Sequence, residues 1–323
     1  MKTKNKSGFT LLEMLIVIGI IGTLLSMVLF QFTGATESAK AAQCEANLRN
    51  LVTAAHSCAQ TAANGEFPVA ASFWYTRISH KDAGVEYPRR LAWISGREVS
   101  SPGNREKVEF DPIPFNEDKT PEMKGSAYWA VTNGNGGAMW KAMHESSSGY
   151  LCPIHSAAVR KATKNLPGWS YVMNREFGFQ DKRQGRNGVW WSQTLNSISI
   201  LKSGGGEFHP DHSKVLMFAE LQGIDIDLAG YDHVKANLTA RNTKADAVLD
   251  YEDNESIGFN HKTDKRKISG HAAFADGHVE RIHCPKSGSS LNRLKLTRAL
   301  CRGHEVIYNG KNGSYEDKTD GDN

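Results

Sequence analysis

The sequence predicts an α+β protein in which one long N-terminal helix packs on a C-terminal head with an antiparallel β-sheet. Three observations predict this fold class. Residues 9–30 are apolar apart from Glu13, no proline occurs before Pro68, and beyond Gly65 short apolar segments alternate with Gly, Pro and Asn. A chain of 323 residues with 39% hydrophobic residues is long enough to bury a sizeable core.

Charge gives no support for a nucleic-acid partner. The formal net charge is +4, and Lys2, Lys4 and Lys6 supply three of the positive charges. Without these three the chain would carry 4 − 3 = +1. The other basic residues are interspersed with acids, so no strong basic field remains for nucleic acid to bind.

The first 30 residues predict a membrane-spanning helix. As a helix, residues 9–30 would be about 33 Å long, which is enough to cross a bilayer core. The leader lysines would stay in the cytoplasm and the rest of the chain would lie outside it. A cleaved secretory signal fits less well, because its apolar region is normally shorter. A plain anchor gives no reason for Glu13, since a carboxylate within a membrane is costly and therefore a candidate functional residue.

Residues 8–13, Gly-Phe-Thr-Leu-Leu-Glu, resemble the prepilin-peptidase site of type IV pilins and type II secretion pseudopilins. The resemblance implies a pilin-like fold, cleavage between Gly8 and Phe9, and N-methylation of Phe9. It also implies that Glu13 pairs with the amino group of a neighbouring subunit during assembly. The expected partners are a prepilin peptidase, other pilin-like subunits and the bacterial cytoplasmic (inner) membrane, with the head periplasmic or extracellular.

Four segments are predicted along the chain. They are a leader at residues 1–8, a helix at 9–64 with its transmembrane part at 9–30, a head at 65–309, and a flexible polar tail at 310–323. The second half of the helix has the apolar spacing of a helix that packs on a core. This apolar stripe comprises Leu48, Leu51, Val52, Ala55, Cys58, Ala59 and Ala62.

Short elements are predicted in the head from apolar runs between turn residues. Strands are expected at residues 90–94, 107–110, 127–131, 170–174, 214–220, 271–274 and 279–282. Asp276-Gly277 predicts a hairpin turn between the last two, with His278 packed or hydrogen-bonded beside it. Helices are expected at residues 138–145, 156–164 and 291–301.

The head also resembles the large pseudopilin-like proteins of Planctomycetes, Verrucomicrobia and Lentisphaerae. The blocks that carry this resemblance are Cys152-Pro153 and residues 170–174, 215–220 and 274–279. Proteins of this group have a His separated by nine residues from a C-terminal Asp-Gly. In this chain that position is Arg266, and His261 is the nearest upstream candidate, so the roles of His261 and His271 stay open.

The five cysteines are an odd number, so at least one is free or pairs between chains. Cys44 and Cys58 cannot pair on one helix, because fourteen residues of helix separate them by about 21 Å. An extracytoplasmic compartment permits a disulfide among Cys152, Cys284 and Cys301, and unpaired, partly buried thiols are the alternative.

No metal site is predicted, although possible ligands for zinc and for calcium are present. Zinc ligands could come from Cys152 and His155, from Cys301 and His304, and from the adjacent His283-Cys284, but these lie far apart in sequence and no C-x2-C occurs. Calcium is kept as a candidate cofactor, because some pseudopilins bind Ca2+ in a C-terminal loop. The acids concerned lack the spacing of a known loop and are expected to be solvated: Asp225, Asp227, Asp232, Glu316, Asp317, Asp320 and Asp322.

The sequence therefore favours a structural subunit, processed and assembled into or onto a type II secretion or type IV pilus-like filament. No nucleophile motif, phosphate loop or pair of catalytic carboxylates predicts an enzyme. The alternative is a binding module displayed on a pilin-type anchor, with some of the seven tryptophans stacking on a polysaccharide. Filling of the core is the ordinary role of tryptophan.

Overall fold

The chain divides into two compact units, Met1–Ala42 and Gln43–Asn323, in a computed structural model. The structure describes residues 10–62, 65–72, 92–94, 99–100, 108–109, 138–144, 146–163, 169–178, 200–201, 207–208, 210–223, 247–251, 254–264 and 267–318. It does not describe the side chains of 28–35, 71–72, 92, 99–100, 108–109, 147, 162–163, 200–201, 207–208 and 263–264. Several predictions fall outside these residues: cleavage at Gly8 and Phe9, the strand at 127–131, Trp74, Trp129, Trp190 and Trp191, and the acids Asp225, Asp227, Asp232, Asp320 and Asp322.

The N-terminal helix α1 runs from Leu11 to Thr61. Gly65, where a stop was predicted, adopts a left-handed φ of +69° just beyond the helix end. Within the described part of the chain, no helix is both long enough and apolar enough to cross a membrane. The predicted span at residues 9–30 extends at both ends past the side chains that the structure describes.

In the unit Met1–Ala42, α1 exposes apolar side chains in every direction. Successive residues from Leu11 to Ile18 are exposed, and these cover two turns of helix. Of the large apolar side chains exposed among the described residues, only Ile307 lies elsewhere. The others are Leu11, Leu12, Met14, Leu15, Ile16, Val17, Ile18, Ile20, Ile21, Leu24, Leu25 and Met27.

The unit Gln43–Asn323 contains two short α-helices and fourteen strands among its described residues. The helices are α2 (Pro153–Thr163) and α3 (Arg293–Cys301). The strands are β1 (Val69–Ser72), β2 (Ala92–Ile94), β3 (Val99–Ser100), β4 (Val108–Glu109), β5 (Tyr171–Asn174), β6 (Ile200–Leu201), β7 (Glu207–Phe208), β8 (Leu216–Glu220), β9 (Val248–Leu249), β10 (His261–Asp264), β11 (Lys267–Phe274), β12 (Val279–His283), β13 (Val306–Asn309) and β14 (Ser314–Asp317).

Six strands form the main sheet, in the order β10-β11-β8-β5-β9, with β12 also paired to β11. Most neighbours are antiparallel as predicted, but β9 joins β5 in parallel, so the sheet is mixed. The predicted hairpin forms between β11 and β12, and Gly277 takes the positive φ of +100° that its turn requires.

The core of this unit lies where α1 meets the sheet. Leu48, Leu51, Val52, Ala55 and Ala59 of the predicted stripe are buried, whereas Cys58 and Ala62 are only half-buried. The compact unit therefore begins inside the helix, at Gln43, and contains the end of α1 together with the head predicted from residue 65. The physical reason is that the sheet needs the apolar face of the helix to cover it.

Two predictions for the head differ from the structure. Residues 138–144 form hydrogen-bonded turns instead of a helix. Part of the polar tail, predicted to be flexible from residue 310, forms β14, which pairs with β13 in a hairpin. Tyr315 holds this hairpin in place, because its ring is buried and its hydroxyl accepts a hydrogen bond from the His283 amide at 2.9 Å.

Candidate functional site

The N-terminal motif starts α1 with a reciprocal pair of hydrogen bonds. The amide and the hydroxyl of Thr10 donate to Oε2 of Glu13 at 2.7 and 2.8 Å. The amide of Glu13 donates in return to the Thr10 hydroxyl at 3.3 Å. This arrangement is a capping box, in which the first and fourth residues satisfy each other's free amides. Glu13 therefore has a local partner within its own chain.

A second group of functional side chains lies on one face of the main sheet. Glu220, the last residue of β8, stands opposite Tyr171 of β5. Ala272 of β11 stands opposite Ala219, which puts His271 beside Glu220. Residues directly opposite each other, and residues two apart in one strand, share a face of the sheet. Register therefore brings buried polar residues together at the end of β8.

Glu220 is the centre of this group and is completely buried. Its Oε1 is 2.9 Å from Nε2 of His261, which begins β10, and 2.8 Å from Nδ1 of His271. Its Oε2 accepts a hydrogen bond of 3.1 Å from Nδ2 of Asn260. These contacts give the buried carboxylate the partners it needs.

Two cysteines complete the group from the helical side of the core. Cys44 lies on α1, and Asn47, one turn later, donates from Nδ2 to the Leu151 carbonyl at 2.9 Å. That bond holds α1 against the segment that ends at Cys152. Cys152 caps α2, because its carbonyl accepts from the Ser156 amide at 2.9 Å and Pro153 takes the first helical position.

Four of these residues place one metal-ligating atom each within 4.8 Å of all the others. They are Cys44, Cys152, Glu220 and His261, which we call the Glu220 cluster. None is more than 3% exposed, so the cluster is closed to solvent.

The electrostatics of the Glu220 cluster favour the charged forms of Glu220, His261 and Cys152 and the neutral form of Cys44. Burial alone would raise the pKa of Glu220, but the hydrogen bonds with His261 and His271 outweigh it and lower that pKa to about 2. Burial alone would lower the pKa of His261, but contacts with Cys152 and Glu220 raise it to about 10. The pKa of Cys152 is lowered against burial by its contacts with Cys44 and His261, whereas contact with Cys152 and burial raise the pKa of Cys44.

This set of groups has three kinds of chemistry available to it. The two thiols could oxidise to a disulfide, the Cys152 thiolate could act as a nucleophile beside His261, or all four groups could ligate a cation. Nucleophilic catalysis requires access for a substrate, and the cluster is buried. A disulfide or a bound cation can be acquired during folding, so neither requires a substrate to reach the folded cluster.

The other predicted ligands are placed apart from one another. His155 is buried with Nδ1 2.9 Å from Ser170 Oγ, and His304 has Nδ1 2.8 Å from Asp317 Oδ2. His283 stacks on Tyr308 with ring centroids 4.7 Å apart. The structure thus does not assemble the C-x2-H pairs into one site. Asp317, one of the calcium candidates, is occupied by His304.

None of the five cysteines forms a disulfide in the structure. Cys152 faces Cys44, while Cys284 donates its thiol hydrogen to the Pro285 carbonyl at 3.7 Å. The disulfide among Cys152, Cys284 and Cys301 stays a prediction. No local sequence pattern indicated that Cys44 and Cys152 would be neighbours.

His278 lies at the hairpin turn, as expected. Its ring stacks on Phe274 with centroids 4.4 Å apart, and its Nδ1 is 2.5 Å from Asp276 Oδ1. The Asp-Gly-His sequence therefore serves the turn and not the Glu220 cluster.

Sequence reasoning missed Glu220 as a site residue. The sequence did mark Glu220, because it ends an otherwise apolar strand, where a buried carboxylate needs a partner. The identity of that partner could not be read, since His261 and His271 are 41 and 51 residues away.

Residues 3–29 match the family model described as the prokaryotic N-terminal methylation motif. The match contains Gly8, Phe9 and Glu13 and ends before the head, so it supports a pilin-like or pseudopilin-like N-terminal segment and processing by a prepilin peptidase. No curated protein and no solved structure matches the chain significantly.

Proposed function

We propose that the chain is a pilin-like structural subunit. A prepilin peptidase cleaves it between Gly8 and Phe9 and methylates Phe9, and the subunit then joins or caps a type II secretion or type IV pilus-like filament. The observation that carries the proposal is the match of residues 3–29 to the N-terminal methylation motif. The finer assignments, to the large-headed group and to a particular machine, are predictions.

The exposed apolar surface of α1 supports this function. Its side chains from Leu11 to Met27 are exposed on all sides of the helix. An apolar helix without a covered face requires either lipid or other helices around it. The proposed life cycle supplies both in turn, first the cytoplasmic membrane and then the helical core of a filament.

Glu13 has a distinct part in this proposal. In the subunit, Thr10 satisfies its carboxylate through the capping box. In a filament, the methylated amino group of a neighbouring Phe9 would replace part of that interaction with an ion pair. The carboxylate is thus kept satisfied in the membrane until a neighbouring subunit arrives, which limits the cost of a charge among apolar residues.

Mass spectrometry of the N-terminus in the native membrane tests the proposal. We expect a mature chain that begins with methylated Phe9 and a Gly8→Leu variant that keeps its leader. A wild-type chain that still begins upstream of Gly8, or that has been cut beyond α1, would contradict the proposal.

The alternative, a displayed polysaccharide-binding module, gains no support from the described tryptophans. Trp93, Trp140 and Trp169 are all buried, with at most 3% of their surface exposed. Trp93 donates its indole hydrogen to the Ala247 carbonyl at 3.1 Å. These three rings fill the core and do not line an open aromatic groove.

A further inference from the structure

We propose that the Glu220 cluster binds one Zn2+ ion, which fastens α1 to the sheet of the head. Each of Cys44, Cys152, Glu220 and His261 contributes one ligand atom to a group no more than 4.8 Å across. All four side chains are buried. This inference concerns the head alone and does not depend on filament assembly.

The spacing suits a tetrahedral ion. Zinc bonds of about 2.0–2.3 Å put the ligand atoms of a tetrahedron roughly 3.3–3.8 Å apart. The four atoms of the cluster therefore need to close in by no more than about 1.5 Å around the ion. Rotations of the cysteine and glutamate side chains supply movements of this size without displacing the strands.

The donor set selects the type of metal. Two thiolates, one imidazole and one carboxylate form a mixed sulfur, nitrogen and oxygen site, which suits zinc and does not suit calcium, because calcium takes oxygen ligands. Four protein ligands in a buried place leave no open position for water. The site therefore has the character of a structural zinc site and not of a catalytic one.

The surroundings of the cluster orient its ligands. His271 and Asn260 both hold the Glu220 carboxylate, at 2.8 and 3.1 Å. Ligands of metal sites commonly have such outer partners, which fix their orientation. Nδ1 of His261 is buried and has no hydrogen-bond partner in the structure. A buried ring nitrogen without a partner is rare. A bound ion would account for the burial of this ring in the cluster.

Charge also agrees with a bound dication. Two thiolates and one carboxylate carry three negative charges, and a divalent ion would offset two of them. Zinc binds cysteine as the thiolate and histidine as the neutral imidazole, so binding would release protons. A Cys44–Cys152 disulfide uses only two of the four groups and leaves the buried Glu220 and His261 pair as it is.

The metal content and the thiol content of the full wild-type chain distinguish a zinc site from a Cys44–Cys152 disulfide. The protein is purified in detergent without chelators, and metals are measured by elemental mass spectrometry. We expect about one zinc per chain and five thiols that titrate after denaturation. Replacement of zinc by Co2+ should give thiolate-to-cobalt charge-transfer absorption and the intense visible bands of a tetrahedral site.

Substitutions of the proposed ligands test whether the ion binds in the Glu220 cluster. Cys44→Ser and Glu220→Gln should each lose most of the zinc, and His271→Asn should weaken binding roughly 10–100-fold, as for other outer partners. Cys58→Ser is the matched control, because it lies on the same helix outside the cluster and should keep the zinc. Cys301→Ser controls for the loss of a fully buried thiol elsewhere.

Three results would overturn the proposal. The first is a metal-free wild-type chain, in which three titratable thiols (5 − 2 = 3) would indicate one disulfide such as Cys44–Cys152 and five would indicate an empty cluster. The second is an equimolar content of iron or copper in place of zinc. The third is full zinc content in a Cys44→Ser/Cys152→Ser chain. Because the wild-type measurements decide the first two, a variant that fails to fold does not block the test.

Discussion

Glu13 combines a helix-capping role with a proposed assembly role, and one substitution separates them. Glutamine can serve in a capping box as glutamate does, but it carries no charge. We therefore expect a Glu13→Gln chain to be inserted and cut after Gly8, yet to be depleted at least tenfold from sheared filaments. N-terminal mass spectrometry and immunoblots of the filament fraction measure the two steps.

The matched control for Glu13 is Glu37→Gln, which removes an exposed acid of the same helix that pairs with Lys40 at 3.0 Å. That variant should be processed and assembled like the wild type. Equal amounts of Glu13→Gln and wild-type subunits in filaments would show that the charge of Glu13 has no part in assembly.

Because His155 is buried, we expect the folded protein to lose stability in acid. Burial lowers its pKa to about 4, below an ordinary value of 6.5. A histidine with a depressed pKa binds a proton more readily in the unfolded chain, so its contribution is complete above pH 6.5 and is lost as pH falls towards 4. This difference in pKa between the unfolded and folded chain corresponds to about 3 kcal/mol between those limits.

Urea unfolding at pH 7 and pH 4.5, with a chelator present so that metal release does not contribute, tests this expectation. His155→Asn keeps a polar group near Ser170 Oγ and has no titrating ring. The variant should lose less free energy of unfolding over this pH interval than the wild type does. An equal loss in both chains would assign the acid sensitivity to other groups.

At the scale of the element, β11 depends on a glycine beside His271. A Cβ atom added to Gly270 would lie 1.8 Å from the carbonyl oxygen of Gly258, which is backbone and cannot move aside alone. We expect Gly270→Ala to lower the free energy of unfolding by about 1–3 kcal/mol. Because His271 follows directly in the strand, zinc content should fall in the same variant.

Urea unfolding and zinc analysis of Gly270→Ala give the measurement. Lys267→Ala, at the exposed start of the same strand, is the control and should change the free energy of unfolding by no more than about 0.5 kcal/mol. Unchanged stability of Gly270→Ala would mean that β11 and the Gly258 segment can separate at no cost.

Most described elements follow their local patterns, and the differences have a physical cause. The hairpin at Asp276 was predictable because its turn residues are specific. The hairpin of β13 and β14 was not, because its polar sequence contains a single buried ring, Tyr315, which packs against Tyr308 with centroids 4.8 Å apart. Whether a polar strand is ordered depends on a distant surface that covers one of its side chains.

At the scale of the whole molecule, α1 belongs to both units, and truncation shows where the head begins. A chain that starts at Gln43 should fold with a cooperative thermal transition and bind zinc. A chain that starts at Gly65 loses Leu48, Leu51 and Val52 from the core, each worth roughly 1.5–3 kcal/mol of burial. These losses are comparable to the entire stability of a typical domain.

Circular dichroism melts of the two truncated chains measure the difference. Cooperative unfolding of the chain that starts at Gly65, with the same transition temperature as the longer chain, would contradict the placement of residues 43–61 in the head.

The sequence by itself determined the N-terminal processing motif, the long helix, the apolar stripe that packs on the core and the hairpin at Asp276. Each depends on residues close together in the chain, where spacing fixes geometry. Only the tertiary structure decided that Cys44, Cys152, Glu220 and His261 meet. Their separations of 108, 68 and 41 residues are closed by strand register and helix packing, and no local pattern records which distant side chains share a buried face.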